Sequence, residues 1–205
     1  MFKRHVLIMF LLVVLFVLVG CETDPAEDAV DELPDEPENV MGRVEEPLNM
    51  DGSSEGYPSD PIESAGALIY LAYNDDFIYV LMEAEAEGWL SVGFNQSGSG
   101  MNGANMVLGY LTEEGEPAFR DDVGRGHAHS EAETTAVVQP YFDRSNSATV
   151  LEFAYPLSFP ADQGYNVEEI VPGESYSLIV GLHSSSDNID SKHSTRGMVD
   201  FQVQP

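Results

Sequence analysis

The stretch ALIYLAYNDDFIYVLME, Ala67–Glu83, decides how the chain is read. Two apolar runs, Ala67–Tyr73 and Phe77–Glu83, are rich in β-branched and aromatic residues, and the Asn74-Asp75-Asp76 between them is a hairpin turn signal. The same texture continues to the C-terminus. Further strands are predicted at Gly88–Phe94, Ala104–Leu111, Glu116–Asp121, Thr134–Gln139, Thr149–Tyr155, Tyr176–His183 and Met198–Val203. The last alternates cleanly, with Val199, Phe201 and Val203 on one face and Asp200 and Gln202 on the other. No segment sustains a helical period, and Ser158–Glu174 reads as a long irregular connection with at most one helical turn. Short strands separated by turn residues predict an all-β fold, a β-sandwich of about nine to eleven strands, in one domain over residues 65–205.

The N-terminal part has a different character. Val6–Val19 is an unbroken apolar run behind Lys3, Arg4 and His5, short for a membrane span and flanked like a secretory signal. The tetrapeptide LVGC, Leu18–Cys21, resembles a bacterial lipobox, and Cys21 is the only cysteine in the chain. The expectation is a lipoprotein signal peptide over residues 1–20 and a lipidated Cys21, which tethers the body to the extracytoplasmic face of a membrane. One cysteine excludes an intrachain disulfide and also a C-x-x-C-H haem attachment site. Residues 21–64 are acidic and proline-rich with few aromatics, a composition that predicts a disordered, extended stalk. The whole chain carries 36 acidic against 8 basic residues, a formal charge of −28. That balance excludes a nucleic-acid binder, which needs a basic patch. It is compatible with simple solubility, a saline habitat or cationic partners. The chain has no G-x-S-x-G, no H-E-x-x-H and no phosphate-binding glycine loop, so it is not read as an enzyme.

Three stretches carry recognisable chemistry. In GWLSVGFNQSGSGMNGANMVLGY, Gly88–Tyr110, a strand runs into a loop rich in glycine and serine. Met101 stands between Gly100 and Asn102-Gly103 just ahead of the next strand. Glycines there let the backbone approach another group closely. Met101 either caps the end of the sandwich or offers its thioether to something bound. In HSTRG, His193–Gly197, an imidazole likewise precedes a strand, between Lys192 and Arg196. A thioether and an imidazole converging at one end of a sandwich suit a haem iron or copper rather than calcium or magnesium. His183 rivals His193, and Met106 rivals Met101 from within a strand. In RGHAHSE, His127 and His129 at alternate positions form a separate candidate copper pair.

The order of these segments resembles DOMON domains, the cytochrome b-type group in particular. The resemblance rests on W-x-x-x-G-F (Trp89, Gly93, Phe94), M-x-G-A-[DN] (Met101, Gly103, Ala104, Asn105) and H-x-x-R-G (His193, Arg196, Gly197), and it spans about Ala67 to Val203. Asn105 stands where aspartate is usual. The resemblance implies an immunoglobulin-like sandwich that binds a non-covalent haem b through Met101 and His193 as axial ligands. With both axial positions filled, it implies single-electron transfer with redox partner proteins or membrane electron carriers. Lys192 and Arg196 are then expected to face the haem propionates. Trp89, Phe94, Met106 and Tyr110 are expected as pocket walls. Related modules bind sugars, so a non-redox carbohydrate-binding sandwich is the alternative, with a copper-binding lipoprotein behind it.

Overall fold

The computed structural model describes residues 38–145 and 148–205. The predicted signal peptide, Cys21 and the first part of the predicted stalk lie outside the described residues. Among the described residues the protein is all-β, with twelve strands: β1 (Val40–Arg43), β2 (Ile62–Ser64), β3 (Ala67–Tyr73), β4 (Phe77–Ala84), β5 (Leu90–Gln96), β6 (Asn105–Leu111), β7 (Pro117–Arg125), β8 (Ala128–Glu131), β9 (Val138–Ser145), β10 (Ala148–Pro156), β11 (Ser175–Leu182) and β12 (Thr195–Val203). No helix occurs among the described residues. The strands run in the order β8-β7-β6-β5-β11-β12-β1-β3-β4-β10-β9, and β2 pairs with β3. β1 is the seam of this path. Val40 and Met41 pair in parallel with Gln202 and Val203 of β12, and Gly42 and Arg43 pair in parallel with Ala72 and Tyr73 of β3.

The two halves of the path pack face to face as a β-sandwich. Strand alternation sends Leu90, Val92 and Phe94 of β5, and Leu178, Val180 and Leu182 of β11, into a single core. Ile69 and Leu71 of β3, Val80 and Met82 of β4, and Leu151 and Phe153 of β10 meet them there. Phe94 packs edge-on against Phe201, and Phe119 of β7 packs edge-on against Phe142 of β9. At Gly109 the sheets approach so closely that a Cβ would sit 2.8 Å from both Leu151 Cδ1 and Phe142 Cδ2.

The predicted stalk boundary at residue 64 needs correction. Met41 is 0% exposed inside the core, and residues 40–43 and 62–64 are strands of the sandwich. The segment between them lies on the outer face of the β3–β4–β10 sheet, where Val44, Leu48, Met50 and Tyr57 pack on Ala72, Tyr79 and Ala154. Buried Glu152 anchors it by accepting hydrogen bonds from Gly52 N (2.7 Å) and Tyr57 Oη (3.0 Å). The composition of this segment is acidic and proline-rich, but a few apolar residues and one strand suffice to dock it. The strand expected at 134–139 is also displaced. It runs over Val138–Ser145, because β9 is an edge strand and tolerates Pro140, whose missing N–H would disrupt an interior one.

Asp121 sits on the core side of β7 at 1% exposure. Its Oδ2 accepts from Ala136 N at 2.5 Å, while its Oδ1 has no hydrogen-bond partner among the described residues. Burial pushes its carboxyl from 3.8 up to about 6, against hydrogen bonds from Ala136 and Val137 that pull it down.

Met41→Ala should cost about 2–5 kcal/mol in denaturant unfolding, the range for a large-to-small change in a packed core; a free stalk residue would cost almost nothing. Asp121 gives a second expectation, in the pH dependence of stability. In the folded protein it holds its proton more tightly than in the unfolded chain. Its contribution to stability is therefore full below pH 3.8 and is lost as pH rises through about 6. Relative to Asp121→Asn, the wild type should lose up to about 3 kcal/mol across that window, read from paired unfolding curves.

Candidate cofactor-binding cleft

The outer face of the β12–β11–β5–β6–β7 sheet carries no covering segment among the described residues, and its residues can be read in cross-strand rows. One row is Arg196, Gly181, Ser91, Leu108 and Arg120; the next is Met198, Ile179, Gly93, Met106 and Asp122. Directly opposed residues in antiparallel strands share a face. The middle of both rows is therefore small or glycine, with larger side chains on either side. This hollows the face into a cleft of about 1140 Å³. Its apolar lining includes Trp89, Met106 and Leu108, which belong to a hydrophobic cluster separate from the main core, and Ile179, which packs against that cluster together with Met101 and Tyr110. Met198, 50% exposed, adds apolar surface at its side.

Met101 reaches the cleft from the β5–β6 loop. Gly98, Gly100 and Gly103 all take positive φ there, which side-chain-bearing residues rarely adopt. The loop is clamped onto β7 by Gly103 N donating to Gly124 O (2.8 Å), and by Gly126 N donating to Asn102 Oδ1 (2.9 Å). Ala104 N closes the turn on Met101 O at 2.9 Å. A Cβ at Gly124 would collide with Met101 O, so only glycine permits this approach.

His193 comes from the other end of the rows, on the loop that leads into β12. That loop is tied down by Asp187, which receives Arg144 Nη1 and Nη2 at 2.8 Å each and Leu111 N at 3.1 Å. Trp89 Nε1 donates to Ser191 Oγ at 3.5 Å, and Ser194 N to Leu182 O at 2.8 Å. Burial, then the nearby Arg196 and Lys192, hold the His193 imidazole below its ordinary pKa. Its neutral, lone-pair-bearing form is favoured at neutral pH. Lys192 and Arg196 line the cleft and are both exposed, and among the described residues neither pairs with a carboxylate.

The cleft thus gathers Met101, His193, Lys192, Arg196 and Trp89 from distant parts of the sequence. Phe94 is not among them. It lies on the opposite side of β5, 2% exposed in the core against Phe159 and Phe201, so its expected place in the pocket wall is corrected. Alternation along β5 puts Trp89 and Phe94, an odd number of residues apart, on opposite faces. Asn105 points into the core in the same way. The rival His183 is outside the cleft lining. Its Nδ1 accepts from Ser185 N (3.2 Å) and Ser186 N (3.0 Å), and its ring packs beside Trp89. The rival Met106 lies in the floor.

His127 and His129 also line the cleft, His127 from the β7–β8 turn and His129 from β8. His129 Nδ1 donates to Asp122 Oδ2. Asp122 is 0% exposed and receives Arg120 Nε and Nη2 at 2.6 Å each. Burial pushes its carboxyl up, but the hydrogen bonds from His129 and Arg120 outweigh that and hold it below the ordinary carboxylate range. No three His, Cys, Asp or Glu side chains come together as a metal cage among the described residues.

No protein-family model and no curated protein matches the chain. Among solved structures it is similar to the cytochrome domain of cellobiose dehydrogenase from Myriococcum thermophilum, with a TM-score of 0.51 and 12% identity over 74% of this chain and 80% of that one. It is also similar to the cytochrome b domain of pyranose dehydrogenase from Coprinopsis cinerea, with a TM-score of 0.50 and 12% identity over 67% of this chain and 76% of that one. A carbohydrate binding module of family 9 from Caldicellulosiruptor kristjanssonii, in complex with cellotriose, aligns at a TM-score of 0.48 and 8% identity, over 81% of this chain and 93% of that one. At these identities the likeness to the two cytochrome domains is one of fold.

Asp187→Asn should leave the sandwich folded while loosening the loop that carries His193. The expected readout is faster amide hydrogen exchange across residues 184–194, with exchange in β3 and β4 unchanged. Equal protection in both proteins would remove Asp187 as the anchor.

Proposed function

We propose that the cleft holds a b-type haem between Met101 and His193 and that the domain transfers single electrons. The observation that carries this reading is that a thioether and an imidazole far apart in sequence line one apolar cleft from opposite ends of its floor. The residues present fit such a group. The donors are soft and borderline, as iron in a haem accepts, and the floor is aliphatic, aromatic and thioether in character. Two cations without a carboxylate partner among the described residues stand on its lining, in a chain of charge −28. The similarity to two cytochrome domains supports the scaffold.

When bound, the haem supplies one-electron iron chemistry. This chain's residues do the rest. His193 offers an imidazole kept neutral by burial and by its cationic neighbours, so its ring nitrogen is available to a metal. Met101 offers a thioether, which favours the reduced metal and raises its potential. Arg196 and Lys192 are placed to receive the carboxylates of the cofactor. Trp89 and Ile179 keep water from the floor. Held by both Met101 and His193, the iron would have no open position for a substrate, which favours electron transfer over oxygen chemistry. The partners are redox proteins or membrane electron carriers. A lipid anchor at Cys21 would hold the domain at the extracytoplasmic face, close to them. The sugar-binding alternative has no comparable observation behind it. Trp89, the aromatic side chain of the cleft, is 3% exposed and presents little ring face for stacking.

The expected result is that purified protein supplied with haem gives a low-spin, six-coordinate absorption spectrum in both redox states. His193→Ala should lose it, and Met101→Leu should lose the thioether–iron charge-transfer band. A chain that takes up no haem, under conditions where an established b-type cytochrome does, would sink the reading.

A further inference from the structure

His129 has no part in the reading above, yet it is the most firmly held imidazole in the cleft. Its Nδ1 donates to Asp122, a fully buried carboxylate that is itself gripped by both donors of one face of Arg120. A buried carboxylate on the outer face of a sheet has no role in the core. Here it fixes the orientation of the His129 ring. With Nδ1 donating, the neutral ring carries its lone pair on Nε2, the edge turned away from Asp122. A carboxylate behind a histidine is the arrangement that orients metal-ligating imidazoles and raises their basicity.

The position of His129 is equally specific. It pairs directly across the β7–β8 hairpin with Gly124. Gly124 is the residue on which the Met101 loop rests, and a Cβ built there would lie 3.1 Å from Met101 Cγ. The side chains of Met101 and His129 therefore flank one glycine at one end of the cleft, whereas His193 enters from the other end. A six-coordinate haem would take one donor on each face. This cleft presents one donor opposite His193 by sequence motif and a second beside it by geometry.

We propose that His129 is an alternative ligand for the coordination position opposite His193, taking the iron when Met101 leaves it, with Asp122 as its positioning residue. The proposal rests on the haem reading of the cleft. Exchange of a thioether for an imidazole lowers the reduction potential, so the same domain would have two redox levels set by which side chain is engaged.

The test uses the full chain loaded with haem and reads ligand identity by electron paramagnetic resonance and near-infrared magnetic circular dichroism of the ferric protein. Wild type and His129→Ala should both show thioether–imidazole ligation. Met101→Leu keeps the side-chain volume without a donor, and should remain low-spin with a bis-imidazole signature and a lower potential. Met101→Leu/His129→Ala should become high-spin and return to low-spin when free imidazole is added, which also shows that this variant still folds around haem. If Met101→Leu binds haem stoichiometrically but is high-spin, the proposal is overturned and the haem reading stands. A double variant that stays low-spin without added imidazole likewise overturns it. Wild type that binds no haem overturns both.

Discussion

Four residues with parallel partners on both sides hold the two sheets in register. β1 spends half its length on β12 and half on β3, so Met41 sits where the two halves of the sandwich meet. This seam constrains the path of the chain after it. Beyond β1, the next segment travels over the outside of the β3–β4–β10 sheet, where Glu152 and a small apolar patch receive it. That face is thereby closed. The outer face of the other sheet is left free of it, and the cleft forms there.

An open sheet face is normally convex with side chains. This one is concave because its central positions are Ser91, Gly93 and Gly181, while the bulk is pushed outward to Leu108, Met106, Ile179 and Met198. Met101 and His193 are then delivered by loops at the two ends, each fixed by a different device. Met101 depends on glycine-only contacts with β7, and His193 on the Arg144–Asp187 pair. Strands define the floor, and tethered loops bring Met101 and His193 to it, the arrangement in which a rigid scaffold positions loop residues.

Much of this was legible in the sequence where the signal is local. Ala67–Tyr73 was readable to its last residue because an apolar run and a turn signal bound it on one side. β1, β2 and β8 were not, since strands of three or four residues carry too little alternation, and β1 pairs in parallel with residues about 30 and 160 positions away. The true position of Phe94 was within reach of the sequence: counting parity from Trp89 along β5 sends it to the core. The Asp122–His129 contact was hidden for another reason. RGHAHSE shows two histidines but not the hairpin that folds His129 back beside Asp122, and only the β7–β8 register reveals it.

Among the described residues the sandwich is not closed into a barrel, so its strand path ends in β8 and β9. Neither invites another chain. β8 is four residues long and carries a histidine and a glutamate, and β9 has Pro140 within it and the charged Asp143 and Arg144 beyond. Short length, charge and proline are the features that blunt exposed edges. A domain tethered to a membrane, as proposed for this one, meets copies of itself at high local density, where an unguarded edge would seed strand-to-strand association. The guarded ends of this sheet path keep encounters at the level of side chains. Brief collisions of that kind are what the proposed electron transfer would require.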